Sequence, residues 1–260
     1  MPQPVPLTTQ SFGAPGGRPA LLIAHGLFGS GRNWGAIARR LAEDRRVVTV
    51  DMRNHAGSPW TASHTYPDLA ADLAAVIAAE GAPMDVLGHS MGGKAAMRLA
   101  LEHPAAVNRL VVADIAPVAY GHSQNHLIAA MRRMDLAGLE DRRAADARLA
   151  QAVSDPGVRA FLLQSLDLKA VAPCWRLNLD VLEAGMDGIT GWPDPTGLPP
   201  WPGKALFLAG ALSDYVRPEH RASIRALFPQ AMIARIPGAG HWLHAEKPRE
   251  FEAAVRAFLG

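Results

Sequence analysis

Short runs of consecutive apolar residues alternate along most of the chain with longer stretches whose apolar positions recur every three or four residues. Residues 19–26 (PALLIAHG), 45–52 (RRVVTVDM), 84–90 (MDVLGHS) and 108–117 (NRLVVADIAP) read as strands buried on both faces. Between them, 33–43 reads as a helix with Trp34, Ile37 and Leu41 on one face. Residues 68–79 read as another, with Asp68 and Asp72 in its first turn where they suit the dipole, and 91–102 as a third that His103-Pro104 closes. From 118 to 202 the pattern is helical only, with helices expected over 124–134, 139–153 and 175–184. The Pro/Gly-rich segment GWPDPTGLPPWPG (191–203) then leads back to a strand at 204–210, a helix at 219–227, a strand at 231–241 and a last helix at 248–259. Strand–helix alternation of this kind predicts an α/β fold: a mostly parallel central sheet with helices on both faces. The strandless block predicts an inserted helical cap, residues 118–202, on a core made of 1–117 and 203–260.

Composition narrows this picture. A chain of 260 residues, 49% hydrophobic, fits one large α/β core with an insertion. The formal charge of +2 is dispersed, and its densest part, Arg39, Arg40, Arg45 and Arg46, reads as the solvated end of a helix, which argues against a nucleic-acid partner. Cys174 is the only cysteine, so no intrachain disulfide forms, as suits a reducing compartment. The first residues, MPQPVPLTTQ, have neither a basic region nor an apolar one, and no apolar run is long enough to span a bilayer. The expectation is a cytoplasmic protein without stable membrane insertion, a monomer or a homodimer.

The chemistry concentrates at Gly88-His89-Ser90-Met91-Gly92, a G-x-S-x-G pattern set between a predicted strand and a predicted helix. A sharp strand-to-helix turn there lifts the serine Oγ to the carboxyl edge of the sheet and requires small residues on either side. The same turn puts the Met91 amide at a helix N-terminus, aimed to donate to an oxyanion. The plainer reading of such a pentapeptide, a helix-capping serine in a glycine-rich turn, loses force because both flanking elements are present. A serine needs a base. His241, in PGAGHWLHAEKP, follows the last predicted strand through a glycine-containing loop that emerges at the same edge, and the chain order serine, acid, histidine agrees with hydrolases of this fold. His244 is its local competitor, and the His89 side chain is expected to point away from Oγ. After the first strong strand, AHGLFGSGRNW offers a second oxyanion donor, the amide of Leu27 or alternatively Phe28, with His25 as a buried brace. Two aspartates suit the acid: Asp114 after the strand before the cap, and Asp214 after the strand that follows it. The residues themselves leave that choice open.

Taken together, HGLFGSGRNW, DMRNHAGSP, GHSMGGKAAM, LVVADIAPV and GAGHWLHAEKP resemble the α/β-hydrolase esterases of the bacterial YbfF and mammalian ABHD-eleven type, over about residues 6–259. The G-x-S-x-G and His-Gly elements identify only the fold; D-x-R-N-H followed by D-I-A-P is much narrower. The resemblance implies an α/β-hydrolase fold with a helical cap and a serine hydrolase acting on small-molecule acyl esters or thioesters without a cofactor. It implies Ser90 as nucleophile, His241 as base and Asp114 as acid, with Asp214 the alternative. Ala56 departs from it, standing where N-H-G would have glycine. No metal is expected, since His122 and His126, spaced as on one helix face, lack a third ligand and read as a surface pair. Substrate contacts are expected from Phe28, Met91, Trp175 and Trp242, with Met131, Met134, Phe161 and Leu162 as further apolar candidates. Three other functions remain compatible with the pattern: a carbon–carbon bond hydrolase, a cofactor-free haloperoxidase or perhydrolase, and a non-catalytic ligand-binding protein on the same fold.

Overall fold

The computed structural model describes residues 3–260. In chain order the core begins with β1 (Thr9–Phe12), β2 (Leu21–Ala24), α1 (Gly35–Leu41), β3 (Val47–Val50), α2 (Tyr66–Glu80), β4 (Met84–His89), α3 (Met91–Glu102) and β5 (Val107–Ala113). The inserted stretch carries α4 (Asn125–Arg133), α5 (Arg142–Leu149), α6 (Pro156–Leu162), a hairpin of β6 (Leu166–Asp167) and β7 (Cys174–Trp175), α7 (Leu179–Ala184) and α8 (Met186–Thr190). The core resumes with β8 (Lys204–Gly210), α9 (Arg221–Leu227), β9 (Ala231–Ile236), α10 (Leu243–Glu246) and α11 (Pro248–Leu259).

Seven strands form the central sheet in the order β1-β3-β2-β4-β5-β8-β9, parallel throughout except for β1, which pairs antiparallel with β3. The expected α/β architecture is therefore present. Its inner strands, β2 to β5 and β8, read as nearly continuous apolar runs because both faces are covered, and successive side chains take opposite sides. Leu22, Ala24, Val86, Val112 and Phe207 pack with α2, α3 and the inserted helices. Leu21, Ile23, Leu87, Val111 and Leu208 pack with α1, α10 and α11.

Several local expectations are corrected. The edge strand β1 has the sequence TQSF, almost wholly exposed; backbone pairing to β3 makes it a strand, and no apolar alternation announces it. Residues 139–153 are not one helix: α5 starts at Arg142 behind Asp141, whose side chain accepts the Ala144 N–H, and α6 follows, capped likewise by Asp155. The helix expected from Trp175 begins only at Leu179, because Cys174 and Trp175 pair back on Leu166 and Asp167. Asp68 does sit in the first turn of α2, in a capping box with Thr65. Asp72 lies deeper, fully buried, and takes Arg53 in a two-pronged ion pair at 2.6 and 2.8 Å. Arg45 likewise is no solvated charge. It is buried against Asp85 at 2.7 Å and donates to the Gly260 carbonyl. Burial pushes the Asp85 carboxyl above its usual range, against the opposing pull of Asn108 and Arg45. Among the described residues no helix is long and apolar enough to cross a membrane.

Candidate active site

Parallel strands all end at one rim, so the loops after β2, β4, β5, β8 and β9 meet there although they lie far apart in sequence. At the end of β4 the chain reverses into α3 within one residue. Ser90 adopts φ 52° and ψ −119°, and its N–H is held by the Ala113 carbonyl at 3.0 Å. The glycines flanking it have no alternative. A Cβ on Gly88 would lie 2.2 Å from the Gly92 carbonyl oxygen, and one on Gly92 would lie 2.4 Å from that of Ala24. The reversal projects Oγ from the rim and leaves the Met91 N–H at the start of α3.

His241 reaches the rim from β9 through a loop that turns at Gly238, φ 67°. Its Nε2 stands 3.0 Å from the Ser90 Oγ, and its Nδ1 stands 2.7 Å from Oδ2 of Asp114. A carboxylate only accepts, so Nδ1 carries the proton and Nε2 is left to accept from the serine hydroxyl. The ring is fixed on two more sides. Tyr215 stacks on it, centroids 4.0 Å apart, and the neutral His89 ring behind donates from Nε2 to the His241 carbonyl at 2.9 Å. Burial holds the His89 pKa well below its usual value. Asp114 is itself fully buried, with φ 51°, and its carboxylate accepts the Gly210 N–H at 2.9 Å and the Ser213 hydroxyl besides His241.

Asp214 is elsewhere: its side chain is 90% exposed and lies 4.0 Å from Arg217. His244 faces away as well, stacked on Trp34 at 4.1 Å, and burial pushes its pKa down to about 3. The loop after β2 sets Leu27 beside Ser90 on the cavity wall. Among the described residues the N–H groups of Leu27 and Met91 have no hydrogen-bond partner, whereas the Phe28 N–H is taken by His55 Nε2 at 3.2 Å. Phe28 is therefore not the free amide, and Leu27 is. His25 braces the loop from below: it donates from Nδ1 to the Gly26 carbonyl and accepts the Met52 N–H at Nε2. Burial lowers its pKa to about 4.

A cavity of about 470 Å³ opens above Ser90, walled by Leu27, Phe28, Met91, Ile115, Val153, Phe161, Leu162 and Trp242 among others. Of the expected contacts, Phe28, Met91 and Trp242 line it. Trp175 does not, because its indole points into the inserted helices and donates to the Met131 carbonyl at 3.0 Å. Met131 and Met134 also belong to the packed interior and not to the wall. His122 and His126 are both exposed, as expected of surface residues, but they also line the cavity and do not share a helix face: His122 precedes α4, and its Nε2 hydrogen-bonds the Tyr215 hydroxyl at 2.9 Å. No group of three or more potential metal ligands occurs among the described residues. Lys94, one turn after the serine, is buried on the same wall. It donates to the Thr190 and Gly191 carbonyls and faces the Tyr120 ring at 4.7 Å, and burial pushes its pKa down to about 7. Ser213, Tyr215, His55 and Lys94 escaped sequence reasoning, since their roles depend on which loops become neighbours.

The family model described as alpha/beta hydrolase fold matches residues 19–248. The sn-1-specific diacylglycerol lipase ABHD11 of Mus musculus is 41% identical over 99% of this chain and 86% of its own length. Esterase YbfF of Escherichia coli K12 is 40% identical over 92% of each chain. A solved structure, that of a marine microorganism esterase, superposes with a TM-score of 0.91 at 36% identity, covering 98% of this chain and 99% of that one. The chain belongs to the α/β-hydrolase family, among its carboxylic ester hydrolases of the YbfF and ABHD-eleven type.

Proposed function

We propose that this enzyme hydrolyses acyl esters, and acyl thioesters of similar size, through Ser90, His241 and Asp114 and a covalent acyl-enzyme. The observation that carries this reading is the unbroken relay from Asp114 to His241 at 2.7 Å and from His241 to Ser90 at 3.0 Å, beside two unpartnered N–H groups. His241 Nε2 takes the hydroxyl proton as Oγ attacks the carbonyl carbon. The developing oxyanion accepts from the Leu27 and Met91 N–H groups, and Asp114 stabilises the imidazolium. The imidazolium then protonates the leaving alcohol or thiol. Water, deprotonated by the same histidine, attacks the acyl carbon and returns Ser90 to its starting state.

The cavity supports an acyl group lying along Val153, Phe161, Leu162 and Trp242. The name of the mouse relative offers one substrate to try, the sn-1 ester of a diacylglycerol. A fluorophosphonate probe tests the nucleophile: wild type should be labelled at Ser90, and Ser90→Ala should neither label nor turn over p-nitrophenyl butyrate. Labelling at another residue would refute the assignment. A carbon–carbon bond hydrolase would instead cleave a β-diketone faster than the ester.

A further inference from the structure

The mechanism asks the Leu27 N–H to remain free and turned toward Ser90, yet Leu27 and Phe28 present two successive amides on a loop with no regular secondary structure. We propose that His55 is a positioning residue of the oxyanion hole, whose imidazole engages the Phe28 N–H and so leaves Leu27 as the loop's one oxyanion donor. This rests on the triad reading above.

His55 is fully buried, and its Nδ1 lies 2.9 Å from the Arg53 carbonyl. A carbonyl only accepts, so the ring proton sits on Nδ1 and Nε2 must be the acceptor that meets the Phe28 N–H. Burial pushes the ring's pKa down to about 3, with His25 adding to the effect, so the acceptor persists across ordinary working pH. Phe28 has φ 64°, a conformation that an L side chain rarely adopts without support. It is held at both ends: His55 takes its N–H, and the Ser165 hydroxyl donates to its carbonyl at 2.7 Å. The preceding peptide is fixed through its own carbonyl, Gly26 O, which accepts from His25 Nδ1 and from the Gly29 N–H. A trans peptide directs its N–H opposite its carbonyl, so pinning Gly26 O below the loop turns the Leu27 N–H upward. His25 thus aims one amide while His55 removes the competing one. Their rings meet edge to face at 5.1 Å.

The inserted helices are attached at the same place. The Ala56 N–H donates to the Arg176 carbonyl, the Asn178 N–H donates to the Asn54 carbonyl, and Ser165 contributes the bond to Phe28. The R-N-H segment is therefore the joint at which core loop, cap and oxyanion peptide are fixed together.

The test compares His55→Leu, His55→Gln and Ser165→Ala with wild type, using p-nitrophenyl butyrate turnover and inhibition by butylboronic acid, whose tetrahedral adduct with Ser90 places an oxygen in the hole. His55→Leu should lower kcat by about 10²-fold, the effect of a misplaced or missing oxyanion donor. KM should stay within about threefold, and boronate affinity should fall in parallel with kcat. His55→Gln, whose side-chain oxygen can accept the Phe28 N–H, should recover most of the loss, and Ser165→Ala should show a smaller loss of the same kind. Folding is checked by circular dichroism. A folded His55→Leu with wild-type kcat, or one whose loss falls on KM with boronate binding unchanged, would overturn the proposal. If His55→Leu does not fold, the other two variants decide it: wild-type kcat and boronate affinity in Ser165→Ala, or a complete loss in folded His55→Gln, refute it. A wild type that boronate and fluorophosphonate both leave untouched would instead sink the triad reading.

Discussion

Replacing Asp114 by asparagine is the sharpest perturbation available, because the carboxylate has three donors to satisfy and an amide has a single acceptor. If the asparagine oxygen takes the Oδ1 place against the Gly210 N–H, its NH2 faces both Ser213 and His241 Nδ1. Nδ1 must then accept, the ring proton moves to Nε2, and the atom 3.0 Å from Ser90 becomes a donor that cannot receive the hydroxyl proton. If the oxygen takes the Oδ2 place, the NH2 opposes the Gly210 N–H at 2.9 Å, an arrangement of two donors. The first arrangement is preferred, and the wrong tautomer costs about 10⁴-fold in kcat, or about 5 kcal/mol of barrier. Asp214→Asn, at an exposed residue in a long contact with Arg217, should leave kcat/KM within about twofold. The assay is ester hydrolysis normalised to the concentration of sites that fluorophosphonate titrates, with circular dichroism confirming the fold. A folded Asp114→Asn retaining a tenth or more of wild-type kcat, or a larger loss in Asp214→Asn, would refute the reasoning.

Three further outcomes follow from buried or strained residues. His25, His55 and His244 have pKa values of about 4, 3 and 3 against 6.5 in the unfolded chain, so between these limits the unfolded state binds more protons. Stability should be fully present above pH 6.5 and fall on acidification, by about 4 kcal/mol per pH unit near pH 5 from these three rings together; urea midpoints that agree at pH 7 and pH 5 would contradict this. Ala56, at φ 47°, occupies the position where the family resemblance places glycine, so Ala56→Gly should raise unfolding free energy by about 1 kcal/mol, and a fall in the denaturation midpoint would count against it. Arg53→Ala strands the Asp72 carboxylate in the interior and should cost about 3–5 kcal/mol, whereas Arg53→Met with Asp72→Leu should cost much less; equal losses in chemical denaturation would show that the charges are not what matters there.

How far the sequence could be read follows from where each constraint lies. Leu21–Ala24 and Leu110–Ala113 were readable because strands covered on both faces have little choice but to be apolar, whatever they pack against. The Ser90 turn was readable because its steric demand falls on residues two places away, at Gly88 and Gly92. The choice between the two candidate acids was not, because Asp114 and Asp214 leave neighbouring strands β5 and β8 at the same edge. What separates them is the backbone at 114 and the donors at 210 and 213, which only the folded neighbourhood assembles. Trp175 shows the opposite error: an indole in a helical-looking run suggested a pocket wall, but its N–H is met by the Met131 carbonyl and its ring is buried away from the cavity. β1 left no mark in the pattern, since an exposed edge strand is held by backbone bonds that any side chains permit.

Strain is distributed in the molecule in a way that explains why so much chemistry fits on one rim. The described residues other than glycine with positive φ are Phe28, Asn54, Ala56, Ser90 and Asp114, and they follow β2, β3, β4 and β5, four strands adjacent in the sheet. A left-handed backbone costs an L residue roughly 1–2 kcal/mol, so such a cluster persists only where other contacts over-determine it. Each of the five donates its N–H to a partner from a different segment or across a local turn: Phe28 to His55, Asn54 to Pro59, Ala56 to Arg176, Ser90 to Ala113 and Asp114 to Leu208. What each turn places differs. Ser90 and Asp114 directly follow β4 and β5, and there the turn sets the residue's own side chain; Phe28, Asn54 and Ala56 lie in the longer loops after β2 and β3. Beside Phe28 the group set is the free amide of Leu27, and at Asn54 and Ala56 it is the backbone that bonds Asn178 and Arg176 of the inserted stretch. On the proposed mechanism, pocket and reacting groups are thereby held at the same sheet edge, and a mutation that relaxes one of these turns should move the chemistry before it disturbs the core.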